Sequence, residues 1–177
     1  MILMIIFVAV SWEYLSEVIN LENRISGTTR LTAWGMNWRI TKDHLLFGTG
    51  PAGYAIYYMT YFPNQAMATH NNYLDMLAQT GIVGFTFMMW FFGRLVWMGW
   101  KVLLRLRGRG DFLEAMAAAC LAGTLGGLMM MLFGDWLFPF AYTQTIAGFD
   151  YSVFNWIFMG AILSLDKLTA EPQGARA

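Results

Sequence analysis

His70 is the side chain in this sequence best placed to do acid–base chemistry. It stands where polar sequence gives way to apolar sequence, followed by Asn71 and Asn72 and then by an almost unbroken apolar stretch from Tyr73 to Leu104. An imidazole with an ordinary pKa of about 6.5 can accept a proton from a hydroxyl group at neutral pH. The alternative role is structural, with His70 and the two asparagines capping a helix, and the spacing favours neither.

Two arginines upstream of His70 could bind phosphate. Arg30 and Arg39 precede it in a polar stretch, and a guanidinium group binds phosphate oxygens through two parallel hydrogen bonds. Trp34 and Trp38 lie on one helical stripe beside them, at the spacing typical of aromatic residues at the headgroup level of a membrane. Arg30 could instead form an ion pair with an acidic neighbour such as Glu22.

Other site chemistries have little support in the sequence. The two histidines, His44 and His70, are far apart in the chain, so no cluster has metal-ligand spacing, and we expect neither a metal nor a cofactor. Residues 48–53 match the pattern G-x-G-x-x-G, but Pro51 interrupts it and no strand precedes it, so we expect a turn that returns toward His70. Asp75 does not share the helical face of His70, which argues against a His–Asp pair within one helix.

Composition predicts a membrane protein. Of the 177 residues, 58% are hydrophobic and only 12% are charged, which is about half the charged fraction of a soluble domain. The formal net charge is zero, so no basic field favours nucleic acid, and none is expected as a partner. The single cysteine, Cys120, lies in an apolar stretch and is expected to be a packing residue.

The apolar runs predict an all-α membrane protein with one domain. A bilayer crossing takes about 20 apolar residues, and three stretches are long enough or nearly so. A helix is also predicted over 30–47, after a break at 27–29. The full assignment is a truncated transmembrane segment at 1–12, a helical loop at 13–72, membrane helices at 73–104, 112–134 and 151–165, and a cytoplasmic tail at 166–177.

Basic residues predict the orientation. Lys101, Arg105, Arg107 and Arg109 lie at the end of the first full membrane helix and in the short connection after it, which the positive-inside rule places in the cytoplasm. The loop at 13–72, with His70 at its end, then faces outside. In the next helix, small residues recur every four positions and allow close helix packing. They form two stripes, Ala115, Ala119, Gly123 and Gly127 on one and Ala118, Ala122 and Gly126 on the other.

The order of three motifs resembles the C-terminal half of the O-antigen ligase and polymerase superfamily. The resemblance covers about residues 24–90. Its motifs are Arg30 with Trp34 four residues later, then Asp43-His44-Leu45-Leu46-Phe47-Gly48-Thr49-Gly50-Pro51, then His70-Asn71-Asn72-Tyr73-Leu74 followed by Gly81-Ile82-Val83-Gly84. Full members of that family have more membrane helices, so we expect this chain to be a C-terminal fragment.

This resemblance implies a membrane glycosyltransferase that uses no metal and no cofactor. The donor would be an undecaprenyl-pyrophosphate-linked glycan and the acceptor a hydroxyl group of a glycolipid or glycan, at the outer side of the bacterial inner membrane. His70 would be the catalytic base, Arg30 would hold pyrophosphate, and Trp34, Arg39, Asn71 and Tyr73 would complete substrate binding. The alternatives are a polysaccharide polymerase, in which the acceptor is another carrier-linked glycan, and a non-catalytic membrane subunit or transporter segment.

Overall fold

The computed structural model describes residues 27–50, 56–57, 59–60, 69–138 and 149–170. In these residues it contains helices and connecting turns and no β-strand, which confirms the predicted all-α class. The long helices are α1 at 27–43, α2 at Asn72–Leu106, α3 at Phe112–Met130 and α4 at Phe149–Thr169. The predicted membrane segment at 1–12, half of the loop before residue 69 and the end of the tail at 171–177 lie outside the described residues.

The helix boundaries correct the sequence prediction at three places. Residues 27–29 are already helical, so the break predicted there does not occur, and α1 ends at residue 43 rather than 47. The helix predicted to run to 134 ends at Met130, because residues 131–138 turn back across the bundle. The last helix runs on to Thr169, so the first residues of the predicted tail are helical.

Helices α2, α3 and α4 pack against one another as a bundle, with a core in two parts. The first part lies near the start of α2 and includes side chains from the turn after α3; the second lies toward the end of α2. The first comprises Met76, Phe92, Leu95, Met131, Leu137 and Met159, and the second Val102, Leu106, Ala117, Cys120, Ile162 and Leu165. Cys120 is therefore a packing residue, as predicted.

Small residues of α3 allow α4 to approach closely. A Cβ atom on Gly123 would lie 2.5 Å from the ring of Phe158, and one on Gly127 would lie 2.4 Å from Oδ1 of Asn155. These two glycines belong to the first predicted stripe and pack against α4, whereas Ala115 and Ala119 of the same stripe are exposed. The second stripe, which includes Gly126, is exposed in the described part of the chain.

Two of the described helices, α2 and α3, are long and apolar enough to cross a membrane. Between Gly81 and Leu106, α2 alone spans roughly 39 Å at about 1.5 Å per residue, more than the roughly 30 Å hydrocarbon core of a bilayer. Helix α4 has 21 residues but is not among these candidates. The third predicted crossing therefore stays a prediction.

The turn between α2 and α3 is held by two acidic side chains that cap helix and turn. Oδ1 of Asp111 accepts a hydrogen bond from the backbone N–H of Glu114 at 3.1 Å, which caps α3. The Glu114 carboxylate accepts from the N–H groups of Gly108 and Gly110 at 2.9 and 2.7 Å. The hydrogen bond from Glu114 N–H, ahead of the neighbouring Arg109, lowers the pKa of Asp111.

Helix α2 is broken at Gly81, and the turn after α1 fills the break. Gly81 has φ 65° and ψ −172°, which interrupts the helical hydrogen bonds on both sides. The freed carbonyl groups of Ala78 and Gln79 accept from the N–H groups of Thr49 and Gly50, each at 2.9 Å. In return, the carbonyl groups of Leu45 and Leu46 accept from Ile82 and Val83 at 2.8 and 3.2 Å. The glycine-rich motif at 48–50 is therefore a backbone clamp on α2, which it meets at 78–83 instead of at His70.

Replacing Gly81 by alanine should destabilise the protein strongly. Its backbone conformation is essentially restricted to glycine, and an added Cβ would lie 2.4 Å from the backbone carbonyl of Leu46. We expect a loss of at least about 2–3 kcal/mol in unfolding free energy, measured by thermal or denaturant unfolding in detergent. The matched control is Gly93→Ala in the same helix, where a Cβ meets no atom within 4 Å. Equal stability of the two variants would contradict the clamp.

Candidate functional site

His70 lies in a short extended connection that leads into α2. Its φ is 52°, the left-handed conformation that non-glycine residues rarely adopt, and its side chain is 42% exposed. Its Nδ1 atom lies 3.5 Å from Oδ2 of Asp135, whose side chain is fully buried. The half-exposed imidazole of His70 thus faces a buried carboxylate through Nδ1. Its other nitrogen, Nε2, lies on the opposite side of the ring.

The first turn of α2 uses all its own backbone donors. The N–H of Asn72 donates to the carbonyl of Met131 at 2.9 Å, and that of Asp75 donates to the carbonyl of Asn71 at 3.1 Å. The N–H groups of Tyr73 and Leu74 donate to Oδ1 of Asn71 at 3.0 and 3.2 Å. Helix N-termini commonly bind anions through these groups, but here none of the four is left for a phosphate.

Asp135 reaches His70 because Asn72 binds the turn that carries it. The side-chain oxygen of Asn72 accepts from the N–H groups of Leu137 and Phe138 at 3.0 and 3.1 Å. Its amide nitrogen donates to the carbonyl of Phe138 at 2.9 Å and lies 3.4 Å from Oδ1 of Asp135. One buried side chain thereby holds the 131–138 turn against the start of α2.

Helix α4 supports the same turn from its other side. The amide nitrogen of Asn155 donates to the carbonyl of Trp136 at 3.0 Å, and the indole N–H of Trp156 donates to the carbonyl of Leu137 at 3.2 Å. No motif in the sequence singles out Asp135, which directly follows the membrane helix predicted at 112–134. The available signal was weak: an acidic residue directly after a glycine at the end of an apolar run.

Asp75 brings a second carboxyl group to this site. It is 4% exposed, and neither of its carboxylate oxygens has a partner in hydrogen-bonding geometry among the described residues. Thr69 and Asp135 are its polar neighbours. As predicted, Asp75 does not pair with His70 in one helix; the aspartate beside His70 comes instead from the turn after α3.

Helix α1 packs on the segment around His70. The indole N–H of Trp34 donates to the carbonyl of Thr69 at 2.8 Å, and the amide nitrogen of Asn37 donates to the carbonyl of Leu74 at 3.3 Å. The Asn37 side chain also accepts from the hydroxyl of Thr41 at 3.3 Å. The buried residues of α1 are Ala33, Asn37, Ile40 and Thr41. The Trp34–Trp38 stripe stays largely exposed, as an aromatic surface at a membrane would be.

Arg30 and Arg39 lie on opposite sides of α1. Nine residues make about two and a half turns of an α-helix, so the two side chains leave in opposite directions. Arg30 stands one turn before Trp34, on the side that meets the His70 segment, and its buried Nε atom has no partner among the described residues. Arg39 is exposed. Arg30 is therefore the one of the two that the fold brings toward His70.

Asn71 and Tyr73 have structural contacts in this site. Asn71 is the N-cap of α2, and the Tyr73 hydroxyl donates to the carbonyl of Leu128 at 2.8 Å, which ties α2 to α3. Among the described residues, no group of three or more His, Cys, Asp or Glu side chains is arranged to hold a metal ion.

The fold and site define a helical protein of membrane type with a histidine–aspartate couple at one end of its bundle. A family model described as O-antigen ligase matches residues 1–89, half of the chain, and the chain belongs to that family. The match confirms the resemblance and links the protein to the handling of glycans at membranes during polysaccharide assembly. It includes Arg30, His70 and Asp75 but not Asp135. Comparisons with curated proteins and with solved structures give no match.

Proposed function

We propose that this protein is a glycosyltransferase of the O-antigen ligase type, which moves a glycan from undecaprenyl pyrophosphate to a hydroxyl acceptor. The observation that carries the proposal is the couple of His70 and Asp135, 3.5 Å apart, at a polar end of an apolar helical bundle. A base with a buried carboxylate behind it is what activation of a hydroxyl nucleophile requires. The acceptor is a glycolipid, which fits a protein whose surface is largely apolar.

In the transfer, the acceptor hydroxyl attacks the anomeric carbon of the glycan. Its proton passes to Nε2 of His70, a bond forms between acceptor oxygen and carbon, and the bond from that carbon to the pyrophosphate oxygen breaks. The electron pair leaves with the pyrophosphate, and attack opposite to the leaving group inverts the anomeric carbon. Asp135 stabilises the imidazolium that forms, since an adjacent anion favours the charged ring.

Arginine side chains would bind the pyrophosphate, because the backbone N–H groups at the N-terminus of α2 are all used in other hydrogen bonds. Arg30 lies on the α1 side that meets the His70 segment, with an unpartnered Nε atom, so it is positioned to hold the leaving group. The exposed Arg39 and Trp38 would contact headgroups or the carrier, whereas Trp34 packs on the His70 segment through its indole N–H. Asn71 and Tyr73 act through the backbone by fixing the start of α2 beside the substrates.

The bundle is consistent with a site on the outer side of the cytoplasmic membrane. The carbonyl of Met131, just after α3, accepts from the start of α2, so the His70 end of α2 and the far end of α3 coincide. The basic turn at 107–109 lies at the opposite end, where Arg105 pairs with Asp166 of α4 at 3.1 Å. If the basic turn faces the cytoplasm, His70 faces outward.

Deletion of the gene segment that encodes this chain tests the proposal in the cell. A ligase defect should leave full-length glycans on the lipid carrier and none on the acceptor lipid. Accumulation of single-repeat carrier glycans would identify a polymerase instead. Unchanged carrier-linked and surface glycans would contradict both roles and favour a non-catalytic subunit.

Replacing Arg30 by glutamine should weaken donor use much more than the same change at Arg39. We expect the apparent KM for the carrier-linked donor to rise about 10- to 100-fold in Arg30→Gln, because loss of a charged phosphate ligand costs on that order. Arg39→Gln is the matched control, with an expected change of less than about threefold, since an exposed cation contributes little. Steady-state transfer kinetics provide the measurement. Equal effects of the two changes would contradict the placement of Arg30.

A further inference from the structure

We infer that Asp75 is a neutral carboxylic acid that positions Asp135 as the charged partner of His70. This role rests on the proposed function of His70 as the base. Asp75 touches neither substrate nor His70, so it acts through Asp135 as a positioning residue. The inference starts from an unusual feature of the site: two buried carboxyl groups that are neighbours.

Two adjacent carboxylates cannot both be charged at low cost in a buried place. Asp75 is 4% exposed and Asp135 2% exposed, so water cannot screen their repulsion. A single proton shared between them removes the repulsion and turns one group into a hydrogen-bond donor to the other. Carboxyl pairs in enzyme sites follow the same logic, with one group charged and the other neutral.

The hydrogen bonds around the pair decide which carboxyl holds the proton. Asp135 has donors close by, with His70 at 3.5 Å and the Asn72 amide nitrogen at 3.4 Å, and both favour its charged form. Both oxygens of Asp75 lie buried without a partner in hydrogen-bonding geometry. A charge is therefore stabilised on Asp135 and not on Asp75.

Apart from the backbone N–H of Thr69, the groups that could otherwise stabilise a charge on Asp75 are already used. The four backbone N–H groups of the first turn of α2 donate to Asn71 or Met131, so the helix N-terminus offers Asp75 no free donor. The hydroxyl of neighbouring Thr69 donates to the carbonyl of Asn71 at 3.0 Å. A protonated Asp75 needs an acceptor for the hydrogen bond of its carboxyl proton. The Asp135 carboxylate is the neighbouring group that can accept it.

A buried acid–carboxylate pair also fixes the geometry of the base. With Asp75 donating from one side and Asn72 from another, the Asp135 carboxylate cannot rotate away from Nδ1 of His70. The ring then keeps its proton on Nδ1 and leaves Nε2 free for the acceptor hydroxyl. Asparagine at position 75 would preserve this role, because its neutral amide can donate from the same place, whereas leucine would fill the space without a donor.

Infrared spectroscopy of the purified full chain tests the proton directly and needs no activity. The wild-type protein should show the carbonyl band of a protonated carboxylic acid near neutral pH, shifted by ¹³C-aspartate labelling and lost in Asp75→Asn. The control Asp150→Asn, an exposed aspartate of α4, should keep the band. Absence of the band in wild type, or its persistence in Asp75→Asn, would overturn the inference. A band that appears only after metal ions are removed by a chelator would also overturn the inference, because a bound cation and not a shared proton would then hold the two carboxylates together.

Transfer kinetics test the positioning role separately. Asp75→Asn should keep kcat within about threefold of wild type, while Asp75→Leu should lower kcat about tenfold or more with KM unchanged, the loss expected for a hydrogen bond to a charged group. Equal kcat values of Asp75→Asn and Asp75→Leu would contradict the positioning role and show that Asp75 only fills space. A wild-type protein with the infrared band but without transfer activity would refute the proposed function and leave the protonation of Asp75 intact.

Discussion

Replacement of His70 by asparagine is expected to reduce glycan transfer by about 10²- to 10⁴-fold, the usual contribution of a positioned general base. The amide has no basic nitrogen and cannot accept the acceptor proton. Asparagine is the appropriate variant because His70 has φ 52°, a conformation that asparagine tolerates better than alanine does. The substitution should be made in the chromosomal gene, and acceptor-linked surface glycan should be quantified.

His44→Asn is the matched control for this experiment. His44 is the other histidine in the chain, and its ring contacts the ring of Tyr57 at a tilt of 54°, with centroids 4.7 Å apart. Its replacement should leave transfer within a few-fold of wild type. A wild-type amount of acceptor-linked surface glycan in the His70→Asn strain would show that His70 is not the catalytic base.

Replacement of Asp135 by asparagine should reduce transfer by about 10³- to 10⁴-fold while the protein stays folded. The Asn72 amide nitrogen lies 3.4 Å from Oδ1 of Asp135, so it would orient the new side chain with its oxygen toward Asn72 and its NH₂ group toward His70. That NH₂ group would donate to Nδ1 and force the ring proton onto Nε2, the wrong tautomer for a base. Losses of this order accompany the same change in the serine protease triad.

Initial transfer rates with saturating donor and acceptor, together with thermal unfolding, provide the measurement. Asp150→Asn serves as the control, because it removes the same charge from an exposed position at the start of α4. A fully active Asp135→Asn protein would show that His70 does not depend on its carboxylate neighbour.

The sequence predicted the elements of the fold better than their ends. Long apolar runs indicated α2 and α3, since hydropathy and length suffice to recognise such helices. The same runs hid the end of α3 at Met130, because residues 131–138 are also apolar yet return as a turn. That turn is held by the Asn72 side chain, a contact between positions about 65 residues apart that no local pattern reveals.

The candidate site was predicted only in part for the same reason. His70 and Arg30 stand in recognisable motifs; His70 lies beside Thr69, which Trp34 of α1 contacts, and Arg30 lies one turn before Trp34. Asp135 lacks such a motif, and Asp75 was set aside because helical periodicity separates it from His70. Only the packing of the 131–138 turn on α2 makes neighbours of the two aspartates. The glycine motif at 48–50 was likewise expected to be a turn, but its role as partner of Gly81 depends on tertiary hydrogen bonds.

The central claim is that His70 drives cleavage of the bond between glycan and carrier pyrophosphate. The most direct measurement follows purified wild-type and His70→Asn protein in lipid vesicles that contain an undecaprenyl-pyrophosphate-linked glycan and a glycolipid acceptor. We predict that wild-type protein releases one carrier pyrophosphate for each glycan transferred, whereas His70→Asn binds the donor and releases the carrier at least about 10²-fold more slowly. Release at the wild-type rate by the variant, or donor binding by wild-type protein without any cleavage, would contradict the account.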